Sequence, residues 1–207
     1  GTNLTQAKLT RTNFRGANLR GASLRGAKLN FSDLSSADLS GSDLSQSDLN
    51  GSYFIGANLT GAHIMESDLI MTDFTSADLS GSNISHSNIR RSIFRRTKLN
   101  GAYILSSNLN AADLESSDLS GANLFSTNLN MANFYGLYLN GTFIKGVKNK
   151  KIMTFQFNKD FAYCCDGFIK IGCEFKSINY WLKEYKNIGK ENNYTQQEIK
   201  EYGAFIK

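Results

Sequence analysis

Two histidines and three cysteines have the clearest capacity for metal binding or nucleophilic chemistry in this sequence: His63, His86, Cys164, Cys165 and Cys173. A zinc or catalytic site brings several such side chains together, and cysteine ligands commonly occur as Cys-x-x-Cys pairs. The three cysteines lack that spacing, and neither histidine lies near them in the sequence. We therefore expect no catalytic residue, no metal site and no cofactor. We also expect reduced thiols, as is usual in the cytoplasm.

A cluster of basic residues is the second candidate for a functional site. It comprises Arg90, Arg91, Arg95, Arg96 and Lys98. Closely spaced arginines can bind the phosphates of a nucleic acid or another anion. The alternative, which we favour, is a solvated surface whose charges form local ion pairs.

Aspartates at intervals of five residues give the sequence an acidic feature as well. They form three runs: Asp33, Asp38, Asp43 and Asp48; Asp68, Asp73 and Asp78; Asp113 and Asp118. They either create an acidic binding surface or hydrogen-bond the backbone at bends. We favour the bends, because an acidic binding surface needs a strongly negative field and residues 1–145 carry 12 Lys and Arg against 11 Asp and Glu.

A five-residue repeat must position all of these charges. From Leu4 to Ile144, 29 consecutive positions spaced five apart are Leu, Ile or Phe. Two residues before each of them lies Ala, Ser or Thr, with Leu137 as the exception. Neither an α-helix nor a plain strand has this period. One large and one small side chain per unit must therefore face a common axis, and the backbone must turn once per unit.

The types of the large residues predict how many units form one coil. The phenylalanines among them differ by multiples of twenty: Phe14, Phe54, Phe74, Phe94 and Phe134. Four units should therefore form one square coil, in which residues twenty apart stack in columns. About seven coils fit in residues 1–145, which gives a rod roughly 35 Å long. Arg95 and Glu115 are twenty residues apart, so we expect an ion pair between them.

The repeats resemble the pentapeptide-repeat family, whose motif is A(D/N)LXX. Residues 17–21 (ANLRG) and 37–41 (ADLSG) match this motif, and the resemblance extends over residues 2–145, about 70% of the chain. It implies an all-β solenoid, a right-handed quadrilateral β-helix, with no enzymatic activity in the repeats. Some members of the family bind type II topoisomerases as mimics of duplex DNA. The resemblance therefore adds gyrase binding as an alternative function.

Some outward positions of the repeat are apolar, and such positions on a solenoid mark contact surfaces. One group contains Ile55, Met65, Ile70 and Met71. We interpret it, together with the basic cluster, as a possible interaction surface. A second group contains Tyr103, Leu105, Phe125 and Phe143. Self-association through either group, or through the first coil, is also possible.

The composition changes near residue 146, so we divide the chain into a β-helix (1–146) and a C-terminal region (147–207). All eight arginines precede this point. In the C-terminal region, Asp166-Gly167 between two apolar runs predicts a β-hairpin that pairs Cys165 with Phe168 and Cys164 with Ile169. In that register a disulfide from Cys173 to either neighbouring cysteine is not expected.

Two helices should follow the hairpin. The first is expected after Ser177 as its cap, with an apolar stripe of Ile178, Trp181, Leu182, Tyr185 and Ile188. The second should begin at the capping box Thr195-x-x-Glu198. Residues 169–173 are also similar to a C-terminal extension found on some bacterial and phage pentapeptide-repeat proteins.

A C-terminal region of this size is marginal as an isolated domain, and the last coil of a β-helix exposes strand edges. We therefore expect a small α+β cap that docks on the second apolar group and contributes Trp181.

These observations predict a non-enzymatic scaffold or interaction module with an unidentified protein partner. Gyrase binding and nucleic-acid contact remain alternatives. No apolar run has the length of a membrane span, and no signal peptide is visible at the start of the sequence, so we expect a cytoplasmic protein. Because Gly1 lies inside the repeat, we also expect that an N-terminal part precedes it.

Overall fold

The computed structural model describes residues 1–139, 141–143, 147, 153–156, 161–165, 168–171, 174–191, 194–197, 199–200 and 203. The chain divides into two compact units, Gly1–Asn149 and Lys150–Lys207. Each unit is described by itself. Within the described residues, no helix combines the length and the apolar character that crossing a bilayer requires.

The repeats of the first unit pair through parallel bridges between residues twenty apart, from Asn3 with Ser23 to Asn123 with Phe143. The backbone N–H of Phe74 donates to the carbonyl of Ile93 at 2.7 Å, and that of Asp73 donates to Ser52 at 3.0 Å. These bonds link successive coils and satisfy the backbone. The predicted four units per coil are confirmed.

Each coil has four faces, which we name by their first occurrence. The first face contains residues 3–5, the second 8–10, the third 13–15 and the fourth 18–20, and each recurs every twenty residues. The remaining residues form the corners between faces. A side chain therefore has its column neighbours in the coils before and after it, twenty residues away in sequence.

Every corner depends on one residue with a positive φ. Every fifth residue from Gln6 to Gly141 has a φ between 51° and 68°. At most corners an N–H···O bond closes the turn, as from Ala17 to Phe14 at 2.9 Å. A positive φ at the third residue is the requirement of a type II turn. The chain thus changes direction once per unit, as the five-residue period predicts.

The interior is closed by the large and small residues of the repeat. The large residues from Leu19 to Leu139 are all buried. Phe54, Phe74 and Phe94 stack with ring centroids 5.0 and 4.9 Å apart. Many buried hydroxyls among the small residues find carbonyl partners, as when Thr97 Oγ1 donates to Phe74 at 2.7 Å, whereas the buried hydroxyl of Ser82 has none among the described residues. These packed and largely hydrogen-bonded side chains leave the interior little capacity to bind a ligand. We therefore look for a functional site on the outer surface.

The second unit contains a four-stranded antiparallel sheet in the order β1-β2-β3-β4. The strands are β1 (Met153–Gln156), β2 (Phe161–Cys165), β3 (Phe168–Ile171) and β4 (Glu174–Ser177). In the β2–β3 hairpin Cys165 pairs with Phe168 and Cys164 with Ile169, the register expected for a two-residue turn. Asp166, Gly167 and Cys173 lie outside the described residues.

The outer strands β1 and β4 were not predicted from the sequence. An isolated hairpin is marginally stable in water, and two further strands pair with its free edges. Helix α1 (Ile178–Glu191) follows β4 directly. The Tyr180 N–H donates to Ser177 Oγ at 3.2 Å, so Ser177 caps α1 as expected.

A second helical segment includes residues 196–197, 199–200 and 203. The Ile199 N–H donates to the Thr195 carbonyl at 3.0 Å. Glu198, the other half of the expected capping box, lies outside the described residues. Trp181 and Ile199 are buried.

Candidate interaction surface on the β-helix

The aspartates and asparagines of the repeat bond to the backbone at the bends. Asp38 Oδ1 accepts the Ser40 N–H at 3.0 Å, and Asn58 Oδ1 accepts the Thr60 N–H at 3.1 Å in the next coil. Because a neutral amide and a carboxylate make the same contact, the contact does not depend on charge. This local role is the one we favoured for the aspartate runs.

Hydrogen bonding also explains the acidity of three of these carboxyl groups. Bonds from the Ser40 hydroxyl and then the Ser40 N–H hold the pKa of Asp38 below its usual value, and Ser35 does the same for Asp33. Partial burial opposes ionisation of Asp78, but bonds from Ser80 and Lys98 outweigh it and lower the pKa. Each carboxylate is thus stabilised in its ionised form by neighbours in the fold.

The basic cluster lies on a single coil and extends from the second face to the fourth. Arg95 forms the expected ion pair with Glu115 at 3.7 Å, but Asp113 is closer, at 2.5 Å. The hydrogen bond to Asp113 and the charge of that carboxylate raise the pKa of Arg95. Lys98 Nζ lies 3.3 Å from Asp78 Oδ2. Two of the five basic groups are therefore neutralised locally.

The other three basic groups have no acidic partner within the described part of the chain. Arg90, Arg91 and Arg96 are exposed. Their column neighbours are uncharged: Ile70 and Asn110, Met71 and Ala111, Ser76 and Ser116. The unpaired charge is thus concentrated at the corners on either side of the third face.

The structure separates the first apolar group of the sequence. Ile55 lies on the third face, Ile70 on the second, and Met71 at the corner between them. Met65 lies on the first face, half-buried, and its sulfur is 3.1 Å from Asn83 Nδ2. Ile70 and Met71 therefore lie at the corner between the second and third faces. Ile55 lies at the other end of the third face, in the turn before Gly56, and Met65 is not part of that surface.

Two aromatic residues that sequence reasoning missed lie at the same corner. Phe31 occupies the corner two coils before Met71, and Tyr53 lies on the third face in the coil between them. Both are exposed. Phe31 interrupts a series of mainly small or polar corner residues, and Tyr53 replaces the usual Asp or Asn of its column. Those departures from the repeat were the available signal.

The second apolar group lies on the first face. Tyr103, Phe125 and Phe143 are exposed, Leu105 is half-buried, and the rings of Phe125 and Phe143 stack at 6.2 Å. Their columns place them in successive coils, as predicted. Further exposed side chains in the same coils are Met131, Tyr135 and Tyr138 on other faces.

The two histidines lie on or beside the first face, and the His86 backbone N–H donates to the Leu105 carbonyl at 2.8 Å. His63 is exposed on the first face, and His86 is exposed at the corner between the first and second faces. Among the described residues, no three histidine, cysteine, aspartate or glutamate side chains are grouped so as to hold a metal ion.

A groove in the second unit was not predicted. It has a volume of about 610 Å³ and lies between α1 and the second helical segment. Its lining is Tyr185, Lys186, Lys190, Gln196, Ile199, Lys200 and Gly203. A Cβ atom at Gly203 would lie 2.6 Å from the Tyr185 ring, so the absence of a side chain there permits the close approach of the two helical segments.

The first unit is a repeat structure of the β-solenoid class, in which each coil contacts only its neighbours. Its four faces, closed interior and outward charged residues are the features that define this class. This chain belongs to the pentapeptide repeat family. Its family model matches in eight copies over residues 1–30, 32–70, 72–104 and 106–146. Membership makes the solenoid a right-handed quadrilateral β-helix. Proteins of the family are in general structural or interaction modules rather than enzymes.

Several solved structures are similar to the chain. HetL, a pentapeptide repeat protein involved in heterocyst differentiation regulation from the cyanobacterium Nostoc sp. strain PCC 7120, is 25% identical over 70% of this chain and 82% of its own, with a TM-score of 0.43. A pentapeptide repeat protein from the Arabidopsis thaliana thylakoid lumen is 27% identical over 44% and 63%, with a TM-score of 0.43.

QnrB1, a plasmid-mediated fluoroquinolone resistance protein, is 20% identical over 67% of this chain and 79% of its own, with a TM-score of 0.34. A comparison with curated protein sequences gave no match.

Proposed function

We propose that this protein is a non-enzymatic interaction module whose rigid β-helix presents a surface to a protein partner. The observation that carries the proposal is the exposure of Phe31 and Met71 at one corner, and of Tyr53 and Ile55 on the adjoining third face, of a rod whose interior is already closed. Burying these side chains against a partner removes apolar surface from water, which favours binding. Because they point outward, they contribute nothing to the packing of the core.

The geometry disfavours the alternative of a DNA mimic that binds gyrase. The aspartate carboxylates accept backbone hydrogen bonds at the bends, and the corners of the third face carry arginines without an acidic partner in the described part of the chain. Direct contact with nucleic acid through the basic cluster has partial support, because Arg90, Arg91 and Arg96 are free to bind an anion. The apolar residues beside Arg91 favour a protein partner over phosphates.

Affinity capture from a host lysate tests the proposal. The full chain is compared with four variants, each with one glutamate at an exposed position of a different face: His63→Glu, Asn130→Glu, Ile55→Glu and Thr60→Glu. A module that binds through the rod should capture a host protein, and Ile55→Glu should reduce capture while the thermal midpoint is retained. Absence of any captured protein, or equal capture by all four variants, would overturn the proposal.

A further inference from the structure

One column of corner residues has a regular arrangement along the rod. Between the second and third faces, successive coils present Arg11, Phe31, Gly51, Met71 and Arg91. With about 4.8 Å per coil, the two arginines are about 19 Å apart. Apolar or small residues occupy the three positions between them. The corner is thus an apolar stripe with a positive charge at each end.

Gly51 shapes the middle of this stripe. A Cβ atom at Gly51 would lie 2.7 Å from Cε1 of Phe31, so the aromatic ring lies across the glycine. The Arg11 guanidinium carbon is 5.9 Å from the centroid of the same ring, within the range of a cation–π contact. Phe31 still has 52% of its surface exposed, and Met71 has 56%. Both side chains are held in place and remain accessible.

Neighbouring columns widen the stripe with further apolar groups. Tyr53 and Ile55 are exposed on the third face, and Ile70 is half-buried on the second. A partner that covered the corner would thus meet aliphatic and aromatic side chains on both sides of it. Such clusters, rather than isolated apolar residues, supply most of the binding free energy of protein interfaces.

The charges at the two ends of the stripe determine which charge a partner should carry there. Arg90 and Arg91 have no acidic neighbour in the described part of the chain. At the other end, Arg15 reaches Asp33 only at 3.9 Å, with 68% of its side chain exposed. Asp33 and Asp73 lie beside the coils of Phe31 and Met71, between the two ends of the stripe and not at them. The ends are therefore positive and accessible.

We propose that this stripe binds an acidic segment of a partner protein that carries apolar residues between two groups of Asp or Glu. In an extended segment, about six residues span the 19 Å between the arginines. Phe31 and Tyr53 can stack with bases, but Ile55, Ile70 and Met71 provide non-aromatic contacts that suit apolar side chains rather than bases, which favours a protein segment over a single-stranded nucleic acid. The inference rests on the proposed function and specifies the partner's chemistry.

The chain provides matched variants for a test. Met71→Ser and Arg91→Ser alter the stripe, and serine already occupies corner positions with the same φ, as at Ser76. Arg96→Ser makes the same charge change on the same coil at the next corner. Met131→Ser removes the same side chain from the same column, two coils beyond Arg91. A shared loss of affinity in all four variants would indicate general damage.

The experiment selects binders from a displayed library of random twelve-residue peptides on the full-length protein. Enriched peptides should contain acidic groups flanking apolar residues. Met71→Ser and Arg91→Ser should each weaken their binding about tenfold, and Arg96→Ser and Met131→Ser less than twofold. Added salt should weaken binding as well.

Three results would overturn the inference. The first is no enrichment, or enrichment of peptides that lack acidic residues. The second is tighter binding of a twenty-residue oligo-dT than of any selected peptide. The third is concentration-dependent dimerisation that Met71→Ser abolishes, which would make a second copy the occupant. If host-protein capture persists in Met71→Ser and Arg91→Ser, the inference fails while the proposed function stands; if nothing is captured, the proposed function fails.

Discussion

Replacing Phe74 by alanine tests how the β-helix is held together. Phe74 is fully buried between Phe54 and Phe94, with ring centroids 5.0 and 4.9 Å away. The change removes apolar contacts and leaves a cavity that adjacent coils cannot close, because their own backbones are paired on both sides. Such substitutions cost about 3–5 kcal/mol. That is a large part of the roughly 5–15 kcal/mol by which domains are stable.

Two further variants make this prediction specific. Phe74→Leu should cost much less, about 1–2 kcal/mol, because Leu34 and Leu114 occupy the same column and show that leucine fits there. Met131→Ala should change stability by no more than about 0.5 kcal/mol, since Met131 is 80% exposed.

Urea unfolding followed by far-ultraviolet circular dichroism measures these differences through the transition midpoints. The reasoning requires the order Phe74→Ala, then Phe74→Leu, then Met131→Ala, from the largest loss to the smallest. Equal losses for Phe74→Ala and Phe74→Leu would refute the stacked-column account of the core. A Met131→Ala loss as large as that of Phe74→Ala would show that burial does not govern stability in this rod.

Three other predictions concern the corners, the bends and the C-terminal region. Gly51→Ala should lower the thermal midpoint more than Gly61→Ala. The two glycines have nearly equal φ values, 64° and 65°, but only at Gly51 would the new Cβ meet the Phe31 ring. Because hydrogen bonds from Ser40 depress the pKa of Asp38 in the fold, its contribution to stability is present above the ordinary aspartate pKa of 3.8 and is lost as the pH falls through the folded pKa. Asp38→Asn should therefore flatten the decline of the thermal midpoint below about pH 4. If residues 147–207 dock on the second apolar group, Phe125→Ser should lower the urea midpoint reported by fluorescence of the single tryptophan, and an unchanged midpoint would count against docking.

The charged and apolar surface of the rod was only partly predictable. Column neighbours follow from the repeat, which is why the ion pair of Arg95 with Glu115 was expected. Its closer partner Asp113 lies on the same face but eighteen residues away, and side-chain conformation rather than the period decides that contact. By contrast, grouping Met65 with Ile55 was wrong on the period alone, because residues ten apart lie on opposite faces of a four-unit coil.

In the second unit, local signals predicted local structure. The Asp-Gly turn marked the hairpin, and Ser177 with its apolar stripe marked α1. β1 and β4 carry no equally strong signal, because strand pairing depends on which edges are free in the folded sheet rather than on the four residues of either strand.

The sequence alone determined the five-residue turn, the four-unit coil and the composition of the core, because an exact period repeats the same steric choice in every unit. The period also assigned each outward side chain to a column, but only the tertiary structure decided which of these side chains make contact. Phe31, Tyr53 and Met71 become neighbours through the stacking of coils, and the ring of Phe31 crosses Gly51 because that position has no side chain. Outward residues are free of the core's packing constraint, so their arrangement depends on their own shapes and charges.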